Sequence, residues 1–146
     1  MAVEKAIYSI LENYPQLNSA NITFGVNQSI AIQSTPYQQP QIIFYKNSTD
    51  SYATKGTTGP LSGRSTIDRA TIKVEVLAES ATTLASLVQN VRGALDRRAG
   101  TFGGCEVQSI DYLNEDNSFE FDDGLSNRGW YQTNQYYAVR FVPSYV

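Results

Sequence analysis

The interval between hydrophobic residues separates helical from extended segments along the chain. From Val3 to Tyr14 apolar residues recur every three or four positions, which predicts an amphipathic helix. Pro15 ends this helix, because the residue before a proline is pushed out of the α region. From Ile67 to Leu77 apolar and polar residues alternate instead, which is the period of a strand with one buried face.

A second helix follows the alternating segment. Ser80 is the predicted N-cap, and the helix continues to Ala99, with Gly100 suited to the position after the last turn. Arg97 and Arg98 suit the carbonyl end of a helix, because its partial charge is negative. The residues expected to pack on the sheet form one stripe: Leu84, Leu87, Val88, Val91 and Leu95.

Other segments rich in β-forming residues predict the remaining strands. They are Gln41–Tyr45, continuing as an exposed ribbon to Tyr52 or Thr54, then Cys105–Leu113, and finally Trp130–Val142. Polar stretches predict long connections at 18–39, which contains one short strand, at 55–64, and at 114–127, as a loop or splayed hairpin tip.

Length and composition agree with one compact unit. At 146 residues the chain fits a single domain spanning 1–146, because two separate cores would each be small. Together with the element order, this predicts an α+β fold: an antiparallel or mixed sheet of about four to five strands with two α-helices packed on one face. Long apolar runs and a signal-peptide pattern are missing from the sequence, so we expect no membrane span and synthesis in a cytoplasm.

The absence of histidine removes the commonest metal ligand and the usual general base. Cys105 is the only cysteine, so the chain lacks an internal disulfide and the ligands for a thiolate zinc site. With no histidine to activate it, Cys105 is expected to be an inert core residue. The net charge of −3 provides no basic field for binding DNA phosphates. We therefore expect no enzymatic activity and no cofactor.

Two polar segments resemble ligand-binding loops but depart from the patterns that those loops require. In Gly59–Ser65, three residues separate the glycines where a phosphate-binding loop has four, and Arg64 stands in place of its lysine. Asn114–Gly124 is rich in carboxylates, as a calcium loop is, but Phe119 occupies the position where an EF-hand requires glycine. We favour a plain loop at the first segment and a solvated acidic tip at the second.

Ten tyrosines leave two interpretations open. Tyrosine is enriched in the cores of protein interfaces, because it buries a large area while keeping a polar tip. It is equally an ordinary residue of β-strands, so the count alone does not choose between the two.

Four segments resemble the tail-completion family of tailed phages, to which the tail terminators belong. They are the opening MAVEKAIYSIL, the strand and helix RATIKVEVLAESATTLASLVQNVRGALD at 69–96, the glycine-rich turn GTFGGCEVQSI at 100–110, and the closing YYAVRFVPSY. The second block is the most specific of them, and the resemblance extends over most of the chain. The segments 18–39 and 55–64 have no counterpart that we can place.

The resemblance implies a structural virion protein, located at the head–tail interface, that acts as a homo-oligomer. Such a protein forms a hexameric ring that caps the tail tube and joins it to the head connector, and DNA passes through the lumen without specific binding. The family has no catalytic, cofactor or metal residues to carry over. Two alternatives remain open: another neck component, such as a head-completion or connector protein, and a small glycan- or protein-binding module with exposed tyrosines.

A closed ring of identical subunits needs two different patches on each copy that meet head to tail. Arg69, Lys73 and Arg140 fall on the predicted outer faces of strands, and Asp122 and Asp123 fall at the predicted acidic tip. Their opposite charges suggest the hypothesis that these residues form the two patches of a subunit interface.

Overall fold

The computed structural model describes residues 2–25, 40–51, 67–121 and 129–143. The helices within these ranges are α1 (Ala2–Glu12) and α2 (Ala81–Leu95). The strands are β1 (Asn21–Phe24), β2 (Gln41–Ser51), β3 (Asp68–Ala78), β4 (Gly100–Phe102), β5 (Cys105–Phe121) and β6 (Gly129–Phe141). The predicted loop 55–64 lies outside the described residues, and so does most of 18–39.

Both helices occur where the sequence predicts them, but the second is shorter than expected. Ser80 caps α2, since the backbone N–H of Thr83 donates to its side-chain oxygen at 3.4 Å. The helix ends at Leu95, so the predicted end at Ala99 is wrong. Arg97 instead turns left-handed, with φ of 63°, and donates its backbone N–H to the carbonyl of Ile110 at 2.7 Å. This bond to a neighbouring strand replaces a further helical turn.

The sheet has six strands in the order β1-β2-β3-β6-β5-β4, so the prediction of about four to five is too low. β1 runs parallel to β2 and every other pairing is antiparallel, which makes the sheet mixed. The extra strand is β4, three residues long and containing Gly100, which is too short to show an alternating pattern. The predicted α+β class with two helices on a mixed sheet is confirmed.

The acidic segment that follows Tyr112 is a strand as far as it is described, and not the predicted loop. Residues 114–121 continue β5 and pair antiparallel with residues 129–136 of β6. Leu113 is skipped in the register between Tyr112 and Asn114, which marks a bulge where the strand leaves its alternating part. Asp122 and Asp123, which follow this strand, lie outside the described residues.

The hydrophobic core lies between the two helices and one face of the sheet, which we call the helix face. α1 contributes Ile7 and Leu11, and α2 contributes Leu87 and Val91, all of them buried in one continuous cluster. The sheet contributes the apolar positions expected from the alternation, among them Phe44, Ile72, Val74, Val76, Ile110, Tyr137 and Val139. At about 1.5 to 3 kcal/mol for each fully buried large apolar side chain, this burial is the main source of stability.

The opposite side of the sheet, which we call the outer face, carries the alternate positions of the same strands. Several of these are buried although neither helix lies on this face, including Ile43 and Leu77, which have no exposed surface. Most of the others are polar. In the described parts of the chain, neither helix is long and apolar enough to cross a bilayer.

Candidate assembly surfaces

The three basic residues proposed for a subunit interface lie together on the outer face. Arg69 of β3 and Arg140 of β6 are direct cross-strand partners, and Lys73 lies four residues further along β3 on the same face. All three are half-buried, so they are less exposed than predicted. Facing arginines repel each other. Arg69 also pairs with the exposed Asp50 on β2, so part of the positive charge at this end of the face is balanced.

Lys73 occupies the centre of this face between two tyrosines. Its register partners are Tyr45 on β2 and Tyr136 on β6, and its ammonium group lies 5.6 Å from the centre of the Tyr45 ring. Burial by itself lowers the pKa of Lys73, but a hydrogen bond with Tyr45 and the charge of Glu75 outweigh it, so the pKa is raised. Lys73 therefore stays cationic through the neutral range.

A buried polar network runs from β3 across β6 to β5 on the same face. The side-chain amide of Gln132 lies 2.9 Å from Glu75 and 2.6 Å from Asn134, and donates to both. Asn134 in turn donates to Asp116 at 2.7 Å, and the hydroxyl of Tyr136 donates to the same carboxylate at 3.4 Å. The network therefore links a buried carboxylate in the middle of the sheet to an exposed one at its rim.

On the helix face, a second cluster fixes α2 against the β5–β6 hairpin. The guanidinium of Arg92 stacks on the ring of Tyr112 at 3.8 Å and lies 3.6 Å from the carboxylate of Asp96. Asp96 accepts the backbone N–H of Tyr112 at 3.2 Å, and the Tyr112 hydroxyl donates to Glu115 at 2.7 Å. Beneath it the ring of Tyr137 packs edge-on at 5.7 Å. We call this cluster the tyrosine clamp.

The tyrosine clamp also marks where the outer edge of β5 changes character. Before it, β4 pairs with Cys105–Val107, and Arg97 and Asp96 bond the backbone at Ile110 and Tyr112. After it, within the ranges described, β5 pairs on its inner side with β6 and with no other strand on its outer side. Residues Leu113–Asn117 are all exposed, whereas residues 133–135 of β6, which pair with residues 115–117, are all buried. We call Leu113–Asn117 the open edge.

The chemistry considered from sequence finds little support in the geometry. Cys105 is buried, and burial, followed by the charges of Glu106 and Glu4, raises the pKa of its thiol, which keeps it protonated and unreactive. As far as it is described, the acidic segment continues β5 as a strand, whereas a calcium ion requires a compact loop. Among the residues described, no cluster of metal-ligating side chains occurs.

A groove of about 340 Å³ lies at the start of α2. Pro40, Ala78, Glu79, Ser80 and Thr83 line it, and the Ser80 hydroxyl is already engaged as the helix cap. These side chains supply neither a base–nucleophile pair nor two facing carboxylates, the arrangements on which acyl and glycosyl transfer depend.

Sequence reasoning identified the basic residues on the outer face but missed the buried polar network, the tyrosine clamp and the open edge. The network is not visible as a motif, because its members come from three strands whose register is set only by folding. A signal for the open edge did exist: four consecutive polar residues, 114–117, directly after the predicted strand Cys105–Leu113, which were interpreted as a loop or splayed hairpin tip.

Comparison with known proteins gives a match of fold. No protein-family model matches the chain, and neither does any curated protein. Among solved structures, the chain is similar to a chain of the "Virion of native gene transfer agent (GTA) particle". The TM-score is 0.63 at 11% sequence identity, and the alignment covers 97% of this chain and 96% of the other. The two chains therefore share their fold along nearly their whole length.

Proposed function

We propose that this chain is a structural virion protein and, more specifically, a tail-completion protein that acts as a ring at the end of a phage-like tail. The observation that carries the proposal is the fold shared end to end with a chain of a gene transfer agent virion. The four segments that resemble the tail-completion family support the finer assignment. In this role the protein works through its contacting surfaces, with no cofactor and no bond made or broken.

The surfaces of the subunit support assembly by charge. The outer face holds Arg69, Lys73 and Arg140, and the acidic residues hypothesised as their partners, Asp122 and Asp123, follow β5 outside the described residues. A ring of identical subunits requires two such unlike patches, because each copy meets its neighbour head to tail. The partners in the particle are then further copies of the chain, the tail tube on one side and the head connector on the other.

The net charge suits passage of DNA through the ring. With 11 basic against 14 acidic residues, the chain has no surplus of cations with which to displace counterions from DNA. A lumen of this composition lets DNA slide without binding a particular sequence.

The experiment that tests this function combines the mass of the purified protein with the morphology of particles that lack it. We expect a hexameric mass, or a monomer that becomes hexameric on tail tubes, and particles with tails of abnormal length or tails without heads. Normal particles in the absence of the chain, or a chain that is missing from normal particles, would overturn the proposal.

Loss of another neck component would give the same defect in the particles, but that protein would occupy a different position in the virion. Gold or antibody labelling separates the two, because a tail-completion protein remains on tails released without heads, whereas a connector protein remains on heads. Label found on free heads alone would contradict the finer assignment while leaving the virion role in place.

The interface patches first hypothesised from sequence have their own test. Reversing Asp122 and Asp123 to lysine is expected to weaken assembly, since it removes the negative partner of Arg69, Lys73 and Arg140. Light scattering on the variant and on a matched reversal of the exposed Glu12 measures the effect. An unchanged oligomer in the first variant rules out Asp122 and Asp123 as one of the patches.

One observation favours a binding module as the second candidate. Tyr131 is 40% exposed, and Tyr45 and Tyr136 are half-buried on the outer face, so aromatic surface is present for stacking on a sugar or a peptide side chain. A monomer at every concentration that retains a ligand on a glycan array would support this candidate over the ring.

A further inference from the structure

The open edge of β5, Leu113–Asn117, has the features of a docking strand. Beyond Tyr112, and within the described ranges, one side of this strand pairs with β6 and the other side has no strand partner. Backbone N–H and C=O groups along an unpaired edge attract another chain. All five side chains are exposed as well, so a partner has access from both faces.

The charge of the open edge limits what can dock there. Glu115 and Asp116 are adjacent on it, and neither residues 113–121 nor the paired residues 129–136 contain a lysine or arginine. If two open edges paired with each other, the carboxylates of both copies would lie together, and like charges on neighbouring strands repel. The open edge therefore disfavours pairing with the open edge of a second copy and favours a cationic surface.

The chain carries cationic side chains on the other side of the tyrosine clamp. Arg97 and Arg98 lead into β4, and Lys5 lies on the far side of the β4–β5 turn, where its carbonyl closely approaches Gly103. Lys5 and Arg97 are exposed, and Arg98 is half-buried with its Nε donating to the Ala94 carbonyl at 3.0 Å. We call Lys5, Arg97 and Arg98 the basic shoulder.

The tyrosine clamp separates the two surfaces. Arg92 and Asp96, both at the end of α2, contact Tyr112 and so fix its position. The open edge begins directly after this fixed residue, and the basic shoulder lies before it. Arg97 is itself fixed at the backbone, through its bond to the Ile110 carbonyl. Both surfaces are thus presented by ordered backbone, on either side of the tyrosine clamp.

We propose that the open edge of one copy binds the basic shoulder of a second copy, so that the guanidinium and ammonium groups of the shoulder engage Glu115, Asp116 and the free carbonyls beside them. The contact joins unlike surfaces, as the head-to-tail interface of a ring does. This inference rests on the proposed function, since it names the partner surface for a self-assembling chain.

The test uses cysteine pairs in a Cys105→Ala background. Copies with Asn117→Cys and copies with Ala99→Cys are mixed in concentrated solution and oxidised; residue 99 is exposed beside the shoulder and both arginines remain. We expect a disulfide-linked dimer in the mixture and none from either variant alone. A linked dimer from Asn117→Cys alone would mean that two open edges meet, and it would overturn the inference.

Charge reversal provides a second, independent measurement. Glu115→Lys with Asp116→Lys, and separately Arg97→Glu with Arg98→Glu, are each expected to weaken self-association roughly tenfold. Combining both reversals in one chain should restore it, because the unlike charges again face each other. Failure of the combined variant to recover, while each half still folds and weakens association, would overturn the pairing.

The mass of the untreated protein, measured in the same samples, separates the two levels of the proposal. An oligomer that forms without the mixed cross-link leaves the ring in place and removes this contact from it. A chain that stays monomeric in solution and on tail tubes removes both.

Discussion

The two halves of β5 belong to one strand and pair with one neighbour, yet they differ in almost every other respect. In the first half, Cys105–Tyr112, the helix-face side chains are buried and the outer edge is covered by β4, Arg97 and Asp96. In the second half, from Leu113 onward, the side chains are exposed as far as Asn117 and the edge is open within the described residues. The first half is built for stability and the second for contact.

The largest expected difference between the two halves of β5 is in the free energy of unfolding lost when a side chain is truncated. Ile110→Ala removes a fully buried side chain and is expected to lower the free energy of unfolding by about 2 to 5 kcal/mol. Leu113→Ala, three positions along the strand, removes a side chain that is 45% exposed and is expected to change it by less than about 0.5 kcal/mol. Urea unfolding followed by circular dichroism measures both, and equal losses would contradict the division.

The backbone that covers the first half is the next feature to test. Arg97 has a positive φ of 63°, which a β-branched side chain adopts poorly. We expect Arg97→Val to cost about 1 to 2 kcal/mol, whereas Arg97→Gly should cost less because glycine accepts this conformation freely. Both are compared by thermal unfolding with Ala99→Val at an exposed neighbouring position. If the valine and glycine variants at position 97 have the same stability, the left-handed conformation there does not contribute to covering the edge of β5.

The smallest expected effect is the loss of stability at alkaline pH caused by Tyr137, which packs against Tyr112 where the two halves of β5 meet. Burial, followed by the charge of Asp96, raises the pKa of Tyr137 far above its ordinary value of 10.0. The unfolded chain therefore loses this proton first as the pH rises, so stability is complete below pH 10.0 and declines above it. We expect a loss of about 1 kcal/mol between about pH 10 and pH 11, measured by urea unfolding at each pH.

Tyr137→Phe is the control for that titration. The variant lacks the hydroxyl that donates to Gln135 at 2.8 Å, so its stability starts lower but should fall less steeply over the same range. Tyr112 and Tyr136 remain in both proteins, and their pKa values are also raised, first by burial. Identical slopes in the two proteins would assign the pH dependence to those two half-buried tyrosines instead.

The same division explains which parts of the fold were predictable from sequence. β3 was identified correctly because it lies inside the sheet with one face on the core, so Ile72, Val74 and Val76 alternate with Arg69 and Lys73. Residues 114–117 were assigned to a loop or splayed hairpin tip because these exposed positions carry four polar side chains in succession. Where burial does not constrain the side chains, alternation is absent from the sequence.

Long-range pairing accounts for the other misses. The end of α2 depends on a bond between Arg97 and Ile110, which are distant in sequence, and the local pattern continued the helix to Ala99. β4 is recognisable only by its pairing with Cys105–Val107. For the candidate site, sequence placed Arg69, Lys73 and Arg140 on one side of the sheet, but the register that brings Arg69 beside Arg140 came from the fold.

The lone thiol gives this chain a native reporter for its covered end. Cys105 has 3% of its surface exposed, lies in β5 opposite Phe102, and has a raised thiol pKa. A labelling reagent therefore reaches it only when the β4–β5 turn separates from the core. The labelling rate consequently measures how often this local opening occurs. A neighbouring subunit that covers the turn should lower the rate of Cys105 labelling. Assembly at this end can then be followed through the native thiol, without an added probe.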